Sequence, residues 1–146
     1  MTDYTSSLGE VQVGRSDDSV GRWVVKKLTF TASEYGNQGT HNIITIPAKN
    51  FVAMGFFVVT TSLVSDSNSG TILFQAGEAM HTAITANGTE LAAKDVVFLS
   101  PGDYEDTIGL QLYNSSADTL DIVVASNDIT SGAGYLIVLL IDLTNE

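Results

Sequence analysis

Runs of β-branched and aromatic residues recur along the chain, broken by clusters of Gly, Asn, Asp and Ser, which is how strands joined by turns read in a sequence. The runs cover residues 23–30 (WVVKKLTF), 42–46 (NIITI), 55–61 (GFFVVTT), 71–75 (TILFQ), 95–99 (DVVFL), 107–113 (TIGLQLY), 120–125 (LDIVVA) and 134–141 (GYLIVLLI). A short strand is also expected at 10–13. Between them lie the turn-formers YGNQGT, VSDSNSG, TANGT, SPGDYED, YNSSAD and SNDITSGAG. In TIGLQLY, Ile108, Leu110 and Leu112 alternate with Thr107, Gly109 and Gln111, so this strand should keep one wet face. The run over 135–141 is apolar at both parities. It needs cover on two sides, from a neighbouring sheet on one and a neighbouring subunit on the other. One helical turn is predicted over 89–94 (TELAAK), with Thr89 as its cap.

Eight strands without helical crossovers cannot build parallel βαβ units. The expected fold is therefore all-β: an antiparallel β-sandwich of about eight strands, a jelly roll first and an immunoglobulin-like sandwich second. The Cys…Trp…Cys marks of the second are missing. No internal repeat is visible. Residues 1–21 are polar, Ser- and Gly-rich and unpatterned, and read as an extended N-terminal arm; residues 22–146 form the sandwich domain. Another chain is expected to hold the arm through Tyr4, Leu8, Val11 and Val13.

Composition fits one globular domain of 146 residues, with 44% hydrophobic and 16% charged residues. The chain has no cysteine, which excludes disulfides, thiolate metal sites and cysteine nucleophiles, and suits folding in a reducing cytoplasm. Neither a signal peptide nor a membrane-spanning segment is expected: the N-terminal residues lack basic and apolar signal regions, and the longest apolar run is strand-length. The net charge of −11 argues against direct nucleic-acid binding, which draws on basic side chains that displace counterions. All six basic residues (Arg15, Arg22, Lys26, Lys27, Lys49, Lys94) lie at or before Lys94, and nine acids follow with no base among them. Such a surface keeps the protein soluble, and it could also complement a basic protein partner.

Candidate chemistry is sparse. His41 and His81 stand without a metal-binding motif or a carboxylate at ligand spacing, and read as polar residues at strand ends. No serine occupies a G-x-S-x-G elbow. Asp66-Ser67-Asn68-Ser69-Gly70 resembles the opening of a calcium loop, but its glycine arrives one residue early and no Glu closes it, so it reads as a polar turn. Asp103, Glu105 and Asp106 follow a Ser-Pro-Gly turn and read as a solvated loop rather than paired carboxylates. Tyr35 and Tyr104 are the aromatics expected in loops, where a sugar could stack. Trp23, Phe30, Phe56, Phe57, Phe74, Phe98, Tyr113 and Tyr135 are expected in core packing. No enzyme activity, cofactor or metal is expected.

The order of parts resembles small jelly-roll proteins that decorate the heads of tailed bacteriophages, known as decoration or cement proteins. The resemblance rests on WVVKKLTFTA, on THNIITIPAKNFVAMGFFVVTTS, on TILFQAGEA, on ELAAK and on the final GYLIVLLID, and spans about residues 21–143. It implies a homotrimer seated on the outside of a phage head, bridging major capsid proteins. It carries no motif from which site residues transfer. Two other roles remain open at this point: another phage component (head fibre, tail or baseplate), and a carbohydrate- or receptor-binding jelly roll.

Overall fold

A computed structural model describes residues 22–99 and 116–144. Among the described residues nine strands run in the order β1 (Arg22–Thr31), β2 (Gly39–Ile46), β3 (Asn50–Ser65), β4 (Thr71–Ala76), β5 (Glu78–Ala79), β6 (Ile84–Thr85), β7 (Val96–Leu99), β8 (Asp118–Ala125) and β9 (Ile129–Asp142). One helical turn, α1 (Ala32–Tyr35), follows β1, and a 3-10 turn spans Asp66–Asn68. The strands form a four-stranded sheet, β1-β9-β3-β7, and a five-stranded one, β2-β8-β4-β5, in which β6 also pairs with β4.

Every pairing is antiparallel, and the pairs nest. The partners β1 with β9, β2 with β8, β3 with β7, and β4 with the short β5 and β6 are those of one long hairpin. Rolling that hairpin brings β9 beside β3 and β8 beside β4. This is a jelly roll, the fold expected from the strand pattern.

The core lies between the two sheets. Phe30, Val52, Phe57, Leu136, Val138 and Leu140 from the first sheet meet Ile72, Phe74, Leu120 and Ile122 from the second, all of them at most 1% exposed. Phe57 sits at the centre. Its ring meets Phe30 edge-on at 5.6 Å and Phe74 of the opposite sheet at 5.0 Å. The ring has room because β9 carries Gly134, diagonal to it in the register, where a Cβ would lie 2.9 Å from the Phe57 ring and 2.5 Å from the Val58 carbonyl.

Several sequence expectations need correction. Residues 89–94 form turns rather than a helix, and Thr89 is not a cap. Asn87 Oδ1 instead accepts the backbone N–H groups of Thr89 and Glu90, both at 2.9 Å. The segment is fastened to β3: Leu63 N–H donates to Leu91 O at 2.9 Å and Lys94 N–H to Val59 O at 2.8 Å, while Leu91 is buried. Those β3 contacts override a weak local helix preference. Strands β2, β3 and β9 run longer than their apolar runs, α1 replaces part of a loop, and β5 and β6 are two-residue pairings too short to show a period. The strands expected at 10–13 and 107–113, and the arm with Tyr4, Leu8, Val11 and Val13, lie outside the described residues.

Truncating the ring that joins the sheets should be costly. Phe57→Ala is expected to lose about 3–5 kcal/mol, lowering the melting temperature by roughly 10–15 °C. Thermal unfolding followed by circular dichroism checks it; a shift of only a degree or two would mean the core does not centre on this residue.

Candidate functional site

Residues paired across an antiparallel sheet share a face, so register fixes what each sheet shows to the outside. On the five-stranded sheet the outward positions are mainly polar. Thr45 pairs with Thr119, Asn42 with Asp121, and Asp121 with Gln75. That is the ordinary arrangement for an antiparallel sheet with one solvated face.

The four-stranded sheet breaks the rule. Across it, Trp23 pairs with Ile141 and Ile141 with Phe51; Val25 pairs with Leu139 and Leu139 with Met54. In the next rows Lys27 pairs with Ile137, then Phe56 and Phe98, and Thr29 with Tyr135, then Val58 and Val96. Twelve of these fourteen outward positions are apolar or aromatic, and none carries a carboxylate. The large apolar residues left open are Val25 (65%), Val96 (58%), Phe98 (54%), Trp23 (38%) and Tyr135 (37%). Contiguous open apolar residues are the kind of surface through which proteins meet other molecules.

Local forces hold the face in shape. A bulge between Val52 and Met54 resets the alternation of β3, so Val52 and Phe57 both point inward while Phe51 and Phe56 point outward. Phe56 and Phe98 meet edge-on at 5.5 Å. The single charge on these rows, Lys27, is occupied inside the chain, with its Nζ 4.2 Å from the centre of the Tyr135 ring. At the corner, Arg22 and Asp142 approach to 3.9 Å. Asp142 is held below the usual carboxylate range, first by the Thr144 N–H that it accepts at 2.9 Å.

The structure relocates the aromatic residues. Phe30, Phe57 and Phe74 lie in the core as expected, but Trp23, Phe98 and Tyr135 are exposed on the apolar face and Phe56 is half-buried there. The sequence carried the signal: in GFFVVTT two phenylalanines are adjacent, and adjacent strand residues face opposite sides. Tyr35 is no loop platform, since it sits in α1 and stacks on Phe30 at 6.1 Å. Tyr104, Tyr113, Asp103, Glu105 and Asp106 lie outside the described residues.

The other candidates do not converge. His41 Nε2 lies 2.8 Å from the Asn37 carbonyl and His81 Nε2 accepts the Phe74 N–H at 2.9 Å, so each is engaged by backbone rather than by a carboxylate. Among the described residues no group of three His, Asp or Glu could hold a metal ion. Asp66–Asn68 is a 3-10 turn, as a polar turn requires, and Ser65 behind it donates to Ala86 O at 2.7 Å and accepts the Gly70 N–H at 2.8 Å. No described helix is long and apolar enough to cross a membrane.

No protein-family model and no curated protein sequence matches the chain. Solved structures do. One match is a chain in the acidic stable capsid structure of Helicobacter pylori bacteriophage KHP30, at 14% identity and TM-score 0.59, covering 86% of this chain and 91% of that one. A chain in the capsid of Ralstonia phage GP4 matches at 12% identity and TM-score 0.54 over 86% and 87%. A chain in the cyanophage Pam1 capsid asymmetric unit matches at 16% identity and TM-score 0.51 over 97% of each. The chain shares its fold with chains of phage capsid structures.

His81 generates a pH prediction. The Phe74 N–H donates to its Nε2 at 2.9 Å, so Nδ1 carries the proton and donates to Thr82 O at 2.7 Å. Burial pushes its pKa below the usual 6.5. The unfolded chain therefore takes up this proton at a higher pH than the folded one, and stability falls as the pH drops below 6.5. His81→Gln, which can still accept the Phe74 N–H, should flatten the melting-temperature profile between pH 6.5 and roughly 5, where carboxylates begin to dominate. An unchanged slope would show that His81 does not control it.

Proposed function

We propose that this chain is a structural protein of the phage virion, a decoration or cement protein that sits as a homotrimer on the outside of the head and stabilises contacts between major capsid proteins. The observation that carries the reading is the apolar outer face of the β1-β9-β3-β7 sheet, on a sandwich whose other outer face is mainly polar. A protein that works alone in water gains nothing from such a face; one that works in an assembly needs it. The shared fold with chains of three phage capsid structures supports the virion as the setting. The charge of −11 favours protein partners over the packaged nucleic acid. The residues offer binding surface rather than chemistry, so no catalytic step is assigned.

A carbohydrate-binding role would also use exposed aromatics. Sugars, however, are held by hydrogen bonds around a stacking ring. The rows around Trp23 present Ile, Phe, Val, Leu and Met, and around Phe98 the polar groups are Thr29 and the pair of Lys27 and Tyr135, already engaged with each other. That composition suits a protein surface better than a glycan.

In this reading residues 1–21 lace the trimer to the capsid, with Tyr4, Leu8, Val11 and Val13 as their apolar contacts. Several weak contacts per trimer multiply into firm retention. Deleting residues 1–21 should therefore reduce retention on heads, measured by co-sedimentation of added protein with undecorated particles, while leaving the melting temperature within a few degrees. If full-length protein fails to co-sediment with such heads, the decoration role is wrong. If the deletion lowers retention and melting temperature together, the arm belongs to the fold instead.

A further inference from the structure

We infer that the apolar face of β1-β9-β3-β7 is the contact between copies of this chain, and that the contact joins unlike corners: Trp23 and Val25 of one copy against Val96 and Phe98 of the next. The inference rests on the homotrimer reading above and names the surface through which the trimer closes.

Three observations lead to a second copy rather than an unlike partner. The first is charge. In a chain of net charge −11, two copies repel wherever acids meet, and the outward rows of this sheet carry no carboxylate. Copies can therefore approach here at the smallest electrostatic cost. The second is recognition. An unlike partner of this acidic protein would be selected by its charge, yet the one charge in the rows, Lys27, is already over the Tyr135 ring. What remains is neutral and apolar, complementary to itself.

The third observation is placement. The three most open residues, Val25, Phe98 and Val96, lie at two opposite corners, with Trp23 beside Val25; Tyr135, on β9 between them, is covered on one side by Lys27. Trp23 and Val25 lie on β1 and Val96 and Phe98 on β7, the strands at the two edges of the sheet among the described residues, and register sets the pairs in different rows. A ring uses two distinct patches on each copy, one facing each neighbour, whereas a twofold pair presents one patch to itself.

The test uses the full chain and two single substitutions at exposed positions, Val25→Asp and Phe98→Asp, with Thr45→Asp on the polar outer face as control. Light scattering at micromolar concentration should find wild type and Thr45→Asp trimeric, and each of the other two monomeric, with melting transitions retained. Mixing the two monomeric variants should restore association as a one-to-one pair, because the intact β7 corner of one meets the intact β1 corner of the other. Wild-type protein that is trimeric, with both variants still trimeric, overturns this surface and leaves the homotrimer reading standing. Wild-type protein that is monomeric overturns that reading and this inference together. A wild-type dimer, or variants that fail to pair when mixed, overturns the unlike-corner contact.

Discussion

Strand β9 is apolar on both of its sides, and no single layer of protein can cover it. Leu136, Val138 and Leu140 point into the sandwich; Ile137, Leu139 and Ile141 point away from it. The first set is satisfied by the second sheet, through the stack of rings from Phe30 to Phe57 to Phe74. The second set is only partly sheltered by its neighbours β1 and β3, which contribute Val25, Trp23, Phe51, Met54 and Phe56 to the same side. Since β9 lies inside its sheet, between β1 and β3, its two-sided character passes to the whole sheet. The architecture therefore poses a demand on one side that it meets internally, and a matching demand on the other that it leaves to the surroundings.

The jelly-roll path explains how a chain of this size arrives at that state. Rolling one hairpin places the long outer strands β1, β3 and β9 in one sheet and the shorter β2, β4 and β8 in the other. The long sheet carries apolar residues on its outer face as well as its inner one. The short one alternates Leu120, Ile122 and Val124 inward with Thr119, Asp121 and Val123 outward, as a sheet facing water should. The edge strand β1 carries two adjacent lysines, which discourage uncontrolled addition of further strands at that edge. The apolar surface left open among the described residues is thus the face rather than the edge.

Much of this was legible in the residues. The runs WVVKKLTF, TILFQ and LDIVVA mark β1, β4 and β8 closely because each ends at a polar or glycine-rich turn, and the double apolarity of YLIVLLI identified β9 as needing two covers. The misses have specific causes. TELAAK has helix-forming residues, but its backbone bonds go to β3, a long-range interaction that no local window contains. The bulge at Val52 and Met54 shifts the parity of β3, so an alternation counted from Phe51 fails by Phe57. Assigning every strand aromatic to the core treated Phe56 and Phe57 as alike, although neighbours in a strand must part ways. The face itself is invisible until register is known, because Trp23, Ile141 and Phe51 are far apart in sequence and adjacent only across the sheet.

The separation of the two faces also separates two selection pressures on the same sheet. Inward residues such as Phe57 and Val138 determine whether the chain folds, since each is sealed from water and replacing it opens a cavity. Outward residues such as Val25 and Val96 remain largely in water within one chain, so their side chains add little to folding. A valine at a solvated outward position offers nothing there that threonine would not, since both suit a strand equally. Five such large apolar side chains gathered on one face, while the opposite sheet carries Thr40, Thr45 and Gln75 outward, are therefore not explained by the fold. Within one chain that face stays open and apolar, a surface suited to contact with another polypeptide.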